Sequence, residues 1–204
     1  MKKISRWIGL AAAAALLSAC AHNIVVKQDG LSFQDRQDGI AMNAGLSLDE
    51  ATRNYVYTER RLGETYSFNL GAALESGAQA SLLKVFPNLK MSPDGSGVER
   101  LVKLKFGPAT SFQLGATTLS KNHAAVELDC EVDDQQGRPL WNGQAMGSAD
   151  ESVGAMGAMP ALFGFFGQGP LYKAYGRVFN DALVASLENL NSQLASARPA
   201  IAAQ

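Results

Sequence analysis

Alternation of apolar and polar residues along the chain predicts most of its strands. The most regular alternation runs from 39 to 48 and from 124 to 133, where every second residue is apolar. A two-residue period of this kind is typical of a strand with one face toward a core. Shorter apolar runs predict further strands at 65–68, 98–106, 111–119 and 139–148,. The short polar sequence at 134–138 predicts a hairpin that makes its flanking strands antiparallel neighbours,.

Two other segments repeat apolar residues every three or four positions, which is the period of an amphipathic helix. The first segment spans 70–86 and ends before Pro87, and the second spans 171–194,. A short helix is predicted at 49–55, although residues 55–57 can equally continue as a strand,. This order of elements predicts an α+β fold: a two-layer domain with a mainly antiparallel sheet and the two amphipathic helices packed on one face.

The N-terminus has the three parts of a bacterial secretory signal. A basic start, an apolar run and small residues before a cysteine follow one another: Lys2, Lys3 and Arg6, then 11–17, then Ser18, Ala19 and Cys20,. The apolar run is too short to span a bilayer comfortably. The sequence Leu-Ser-Ala-Cys at 17–20 resembles the bacterial lipobox, which implies that residues 1–19 are cleaved and that Cys20 becomes a lipidated N-terminus. The alternatives are an ordinary secretory signal cleaved nearby and a short buried helix.

The predicted lipid anchor sets the expected location. Two or more acyl chains hold a protein firmly on a membrane without spanning it. Ala21, rather than aspartate, follows the cysteine, as in lipoproteins that enteric-type sorting sends to the outer membrane. We therefore expect a lipid-anchored protein on the periplasmic face of the bacterial outer membrane, with the membrane itself as its first partner.

The rest of the chain is predicted to form one domain between a tether and a tail. Residues 20–38 are mostly polar and predict a tether that holds the domain off the bilayer, with one short strand at 24–27. Residues 39–195 predict a single α+β domain, and residues 196–204 a flexible tail,. Of the 18 Lys and Arg residues, three lie in the leader, which leaves 15 against 19 Asp and Glu. This acidic balance argues against nucleic acid as a partner.

The titratable residues predict neither a catalytic nor a metal site. His22 lies beside the predicted anchor and His123 begins a strand, so no pair of histidines is placed for a metal site or a Ser-His-Asp arrangement,. We expect His123 to be a solvated side chain at a strand end, and Cys130 to be a buried, inert thiol,. We therefore predict no enzymatic activity, no metal, and no cofactor apart from the covalent lipid on Cys20.

Four carboxylates share one face of the strand at 124–133: Glu127, Asp129, Glu131 and Asp133. Such a row could bind calcium or a basic partner. However, alternate side chains on a strand are roughly 6.6 Å apart, and a strand supplies neither the curvature nor the carbonyls of a calcium loop. The pattern favours a solvated acidic face.

The segment 152–170 carries no charged residue, and its glycines and prolines disfavour a long regular element,. Its large apolar side chains are Met156, Met159, Phe163, Phe165 and Phe166, together with one leucine. They can cap the core between the last strand and the last helix, or form an exposed loop that contacts a partner, a lipid chain or the membrane. We hypothesise that these five residues form a contact surface.

The helix at 70–86 and residues 127–143, with the hairpin pattern D-x-x-G-x-x-L-W at 134–141, resemble the small envelope lipoproteins of the YajG, LptE and ABC-transport-auxiliary type. The related N-terminal domain of TolB is similar in its helix and sheet arrangement. The resemblance covers roughly residues 38–195. It implies a non-enzymatic accessory or assembly factor for an envelope transport or surface-assembly complex. The alternative is a periplasmic carrier or sensor that binds a lipid or glycan, which should show an apolar cavity.

Overall fold

The computed structural model describes residues 21–26, 33, 39–61, 63–115, 121–152 and 168–203. Its strands are β1 (Ala21–Ile24), β2 (Asn43–Leu48), β3 (Val56–Arg61), β4 (Glu64–Asn69), β5 (Asn88–Met91), β6 (Arg100–Phe106), β7 (Ser111–Gln113), β8 (Lys121–Asp134) and β9 (Pro139–Ser152). Its helices are α1 (Glu50–Arg53), α2 (Leu70–Leu82), α3 (Gln168–Ser196) and α4 (Arg198–Ala202). Among the described helices, none is both long enough and apolar enough to cross a membrane.

The larger sheet is built around β8, whose alternation is the most regular in the sequence. Along one edge β8 pairs antiparallel with β6 and β7, and along the other it pairs antiparallel with β9 through the predicted hairpin. Beyond β6 the order continues to β2 and β5, and both of these pairings are parallel. A parallel pair needs a crossover connection, and α2 lies in the chain between β2 and β5,.

The two long helices, α2 and α3, pack against each other and cover one face of this sheet. Buried polar contacts fix their position: the Asn191 side-chain amide donates to the Ser81 carbonyl at 3.1 Å, and the Ser186 hydroxyl donates to the Ala145 carbonyl at 3.1 Å. Gly147 of β9 allows α3 to approach closely, since a Cβ there would lie 2.1 Å from the Ser186 nitrogen. The predicted two-layer α+β fold is confirmed, with mixed rather than purely antiparallel sheets.

The smaller sheet has the order β1-β4-β3 and includes residues that the sequence assigned to a tether. Ala21 pairs with Thr65 and Ile24 with Phe68, in parallel. Ile24, Val26 and Phe33 are all buried. The tether prediction is therefore corrected for residues 21–26 and Phe33, which belong to the folded domain because Ile24, Val26 and Phe33 enter its core; the other residues of 20–38 lie outside the described residues.

The predicted flexible tail at 196–204 is corrected as well. After Ser196 the chain turns into the short helix α4, and Ile201 within it is fully buried. The buried guanidinium of Arg100 holds this helix: its Nε donates to the Ile201 carbonyl at 2.7 Å and its Nη2 to the Ala203 carbonyl at 3.3 Å. Ile201 and Arg100 thus dock a segment whose composition alone predicts no packed structure.

Replacing Arg100 with leucine should release α4 from the domain. The change leaves the two accepting carbonyls without their charged donor, and hydrogen bonds to charged groups contribute about 1.5–3 kcal/mol each. We expect faster amide hydrogen exchange over 198–203 and a lower urea midpoint for the whole chain. Arg198→Leu, an exposed arginine in α4 itself, is the matched control. Unchanged exchange in the Arg100 variant would show that this contact does not hold the helix.

Candidate functional site

Three parts of the chain meet at one end of the domain, which we call the anchor end: the start of β1, the start of α3 and the end of β9. The Tyr172 hydroxyl in α3 lies 2.9 Å from Nδ1 of His22 in β1, and the two ring centroids are 4.9 Å apart. Arg177, further along α3, forms an ion pair with Glu151, the second-last residue of β9. These contacts tie the three elements together.

The anchor end is where the sequence-predicted functional segments join the described domain. Ala21, the first residue of β1, directly follows the predicted lipidation site Cys20. The predicted contact segment 152–170 leaves β9 at Ser152 and enters α3 at Gln168. The predicted site residues themselves lie outside the described residues: Cys20, Met156, Met159, Phe163, Phe165 and Phe166.

A cluster of aromatic rings around His22 stabilises this end. The His22 side chain is 13% exposed, and its ring centroid lies 5.4 Å from that of Tyr66, which in turn packs edge-on against Tyr175 at 5.9 Å. The Tyr66 hydroxyl donates to the Glu64 carboxylate, and a Glu64 oxygen lies 3.8 Å from Nε2 of His22. Burial, together with the carboxylate, raises the pKa of the Tyr66 hydroxyl well above its ordinary value.

Sequence reasoning missed this cluster because its members are far apart in the chain. The partner of His22, Tyr172, lies 150 positions away in the chain. The available signal was the apolar run that follows His22, which predicted a short strand but not its partner β4. A strand that pairs in register brings its polar side chains to fixed neighbours, and sequence periodicity does not identify those neighbours.

The other singled-out residues have structural partners. Nδ1 of His123 lies 2.8 Å from the carboxylate of Asp150, its cross-strand neighbour on β9. Cys130 is buried, as predicted, and burial raises the pKa of its thiol far above the ordinary range, so the thiol stays protonated,. Within the described ranges, no group of three His, Cys, Asp or Glu residues is placed to hold a metal ion.

The prediction of a solvated acidic face on β8 is wrong for Glu127 and Asp133, which are buried, whereas the Glu131 side chain is 46% exposed. Strand β6 places lysines opposite these carboxylates: Nζ of Lys103 lies 3.0 Å from Glu131 and also contacts the buried Asp133, and Lys105 lies 3.6 Å from Asp129. Hydrogen bonding to Lys103 lowers the pKa of Glu131, and the two acids raise the pKa of Lys103. The row is an ion-pair network because the pairing of β6 with β8 matches opposite charges,.

Glu127, the remaining member of that row, is buried and holds the connection between β6 and β7. Its carboxylate accepts a hydrogen bond from the Ala109 backbone N–H at 2.7 Å, and its own N–H and carbonyl bond with the Thr110 hydroxyl. A Cβ on Gly107 would overlap this carboxylate at 2.4 Å. The geometry therefore assigns Glu127 to a turn rather than to chemistry.

The face of the sheet opposite α2 and α3 carries an open groove of about 700 Å³. Its side chains are mostly polar or charged: Ser47, Asp49, Lys103, Lys105, Asp129, Glu131, Asn142 and Gln144. A lipid carrier needs an apolar cavity of comparable size, since ligand pockets are lined mainly by apolar groups. This groove instead matches a polar ligand or a polar protein surface.

Three solved structures are similar to this chain. A protein from Caulobacter crescentus described as a lipoprotein is 11% identical, with a TM-score of 0.44 over 76% of this chain and 88% of the other. A minor lipoprotein from Acinetobacter baumannii is 11% identical, with a TM-score of 0.40 over 76% and 93%. A lipoprotein from Neisseria meningitidis is 10% identical, with a TM-score of 0.30 over 71% and 93%. No protein-family model and no curated protein matches the sequence. Each of the three structures is named as a lipoprotein, and each resembles this chain at low sequence identity.

Proposed function

We propose that this protein is a lipoprotein, anchored through Cys20 to the periplasmic face of the outer membrane, and that it acts as a non-enzymatic accessory or assembly factor for an envelope transport or surface-assembly complex. The observation that carries the proposal is the anchor end. The residue after Cys20 and both ends of the apolar segment 152–170 meet there, joined by the contact between His22 and Tyr172.

This arrangement supports a contact role for the apolar segment. A segment with three phenylalanines and two methionines, starting and ending beside a lipidated terminus, has lipid and membrane-embedded proteins within reach. Methionine and phenylalanine side chains adapt to partners of varied shape, and exposed apolar patches mark interaction sites. The residues proposed for this contact are Met156, Met159, Phe163, Phe165 and Phe166.

The absence of enzymatic activity is part of the proposal, as is the resemblance to the YajG, LptE and ABC-transport-auxiliary lipoproteins. The absence of enzymatic activity is supported by the structural roles that the buried ionisable groups of the described domain already have. Glu127 holds a turn, Asp133 contacts Lys103, and Cys130 has a thiol that burial keeps protonated. Groups already occupied in this way are poor candidates for acid, base or nucleophile.

A carrier or sensor that binds a glycan remains the second candidate, and the polar groove favours it over a lipid carrier. Asn142 and Gln144 line the groove beside charged residues, and such side chains supply the donors and acceptors that sugar hydroxyls need,. A lipid chain would offer these polar groups no hydrogen bond in exchange for the water that it displaces.

Purification of the acylated full chain from membranes, followed by mass spectrometry of what accompanies it, tests the proposal. We expect one or more envelope proteins to copurify, and we expect them to be lost when Phe163, Phe165 and Phe166 are all replaced by serine. The matched control is the double variant Asn142→Ala and Gln144→Ala in the groove, which should keep the same partners. Recovery of a glycan or lipid alone would overturn the assembly role in favour of a carrier. Loss of the protein partners only from the groove variant would overturn the contact role of the apolar segment.

A further inference from the structure

We propose that this protein binds a neutral sugar chain with acetamido groups at its distal end, in a cleft whose central contact is the indole ring of Trp141. The distal end lies opposite the anchor end, where the distal turn (135–138) joins β8 to β9. An open cleft of about 600 Å³ lies there between the start of β9, the end of α3 and α4. The inference depends on neither the lipid anchor nor the assembly role.

The Trp141 ring is placed by a neighbouring glycine. A Cβ on Gly143 would lie 2.6 Å from Cη2 of the indole, so the ring lies against the glycine, where a larger residue would displace it. Trp141 is half-buried, and its indole N–H makes no hydrogen bond to any residue that the structure describes. An indole N–H that is covered by protein usually has a partner. Trp141 therefore offers an apolar ring and an unused donor to a ligand.

The rest of the cleft is neutral. Five of its residues come from the end of α3 and the residues that follow: Ser192, Gln193, Ser196, Ala197 and Ala200. The side-chain nitrogen of Gln193 donates to the Gln144 carbonyl at 2.8 Å, which leaves the Gln193 Oε1 atom as an acceptor. None of the described residues that line this cleft is charged, in contrast to the groove on the open face of the sheet.

Asn142 adds backbone groups at the outer edge of β9. Successive residues of an antiparallel strand turn their N–H and C=O groups alternately to its two sides. The Gln144 carbonyl points to the outer edge, where it accepts the hydrogen bond from Gln193. Asn142 lies two residues earlier and therefore turns its own N–H and C=O to the same edge, where it lines the cleft. A backbone donor and acceptor thus lie beside the Trp141 ring.

These groups match a sugar ring that carries an acetamido group. The apolar face of a pyranose ring can pack flat on an indole, whose body is apolar and whose N–H is polar. The sugar hydroxyls and the acetamido amide need neutral donors and acceptors, which Asn142 and Gln193 supply. An anionic ligand would find no cationic partner among the lining residues,. A lipid chain would displace water from the polar groups without replacing its hydrogen bonds.

An extended peptide is the main alternative occupant, and the edge of β9 argues against it. A peptide that binds a sheet edge adds a strand to it through a row of free backbone groups. Side chains of α3 already bind two carbonyls of this edge, those of Gln144 and Met146. Covered edges of this kind do not readily accept another strand. The edge next to the cleft therefore favours a ligand that needs only the backbone groups of Asn142.

Titration of the full chain with chitotetraose, a neutral oligomer of N-acetylglucosamine, tests the site. The sequence has two tryptophans, Trp7 and Trp141, so the fluorescence of a Trp7→Phe variant comes from Trp141 alone. We expect the Trp141 emission to shift to shorter wavelength and to saturate as the sugar covers the ring. Cosedimentation with purified cell-wall sacculi, compared with binding of the polysaccharide from lipopolysaccharide, identifies which envelope glycan supplies the chain.

Calorimetric titration of variants locates the site. Trp141→Ala should weaken binding of chitotetraose by roughly tenfold, the effect of losing one aromatic stacking contact. Because this ring also packs against the core, a second variant is needed, and Ala200→Gln fills the cleft from an exposed position of α4. We expect a similar loss from it. Its matched control is Ala202→Gln, which is exposed in the same helix but outside the cleft and should leave the affinity unchanged.

Gln144→Ala separates the cleft from the polar groove, because Gln144 lines only the groove. This variant should bind chitotetraose as the unmodified protein does. The proposal is overturned if neither chitotetraose nor either envelope glycan binds, or if binding survives both Trp141→Ala and Ala200→Gln. Weakening by Gln144→Ala alone would assign the sugar to the groove. An emission shift with an extended polar peptide but not with the sugar would assign the cleft to a peptide.

Discussion

Replacing Cys20 with serine should abolish fatty-acid labelling of the protein and remove it from the outer-membrane fraction. A serine hydroxyl does not take the place of the thiol that the predicted lipobox presents for acylation, and the resemblance implies that cleavage after Ala19 depends on this modification. The variant should therefore keep residues 1–19 and migrate as a larger, unlabelled species. Cells fed radiolabelled palmitate, followed by membrane fractionation and electrophoresis, measure all of these effects.

Cys130→Ser is the matched control, because Cys130 is the second of the two cysteines. Its side chain is buried in the core and its thiol is kept protonated by burial, so it has no access to lipid. This variant should keep its label and its place in the outer membrane. Label that persists in the Cys20 variant, or disappears from the Cys130 variant, would contradict the predicted anchor.

Replacing Gly147 with alanine should destabilise the domain by about 3 kcal/mol. A Cβ at this position would lie 2.1 Å from the Ser186 nitrogen and 2.2 Å from the Ala182 carbonyl oxygen. Both are backbone atoms of α3, so the clash is relieved only if the whole helix moves away from β9. Urea unfolding of the full chain, followed by circular dichroism, measures the loss.

The neighbouring residue provides the control. Ser148 is exposed and points to the opposite side of β9, so Ser148→Ala should leave the urea midpoint almost unchanged,. A Gly147 variant as stable as the unmodified protein would show that α3 does not need its close approach to β9.

The sequence was sufficient to predict the elements whose periodicity is strong. Alternation over 124–133 identified β8, and three-to-four spacing identified α2 and α3 to within a few residues. Both features report which face of an element is apolar, and this is enough to derive two layers. Neither feature reports which strand pairs with which, and so the parallel pairing of β2 with β5 and β6 was not predicted.

The ion pairs between β6 and β8 could not be predicted for the same reason. The acidic side chains of β8 appear solvated when the strand is considered alone, whereas the register of β6 places Lys103 beside Glu131 and Asp133. Short apolar segments were also underestimated: Ile24 and Ile201 are buried, although their surroundings in the sequence suggested a tether and a tail. Such residues depend on a core formed by distant parts of the chain.

Only two parts of the candidate site could be predicted from the sequence. The lipobox-like sequence at 17–20 predicts lipidation of Cys20, and the composition of 152–170 predicts an apolar contact segment. The two features lie at the same end of the domain because His22 contacts Tyr172. No local sequence pattern predicts this contact. The structure thus joins two separate sequence predictions into one proposed membrane-proximal surface.

Site-specific photo-crosslinking in intact cells is the most direct test of the central claim, which is that this surface engages a partner. A photoreactive amino acid is placed at Phe165 in the apolar segment, at Gln144 in the polar groove, and at Gln136 in the distal turn. The account predicts a defined protein adduct from position 165 and none from 136 or 144. An adduct from position 144 with nothing captured at position 165 would contradict it.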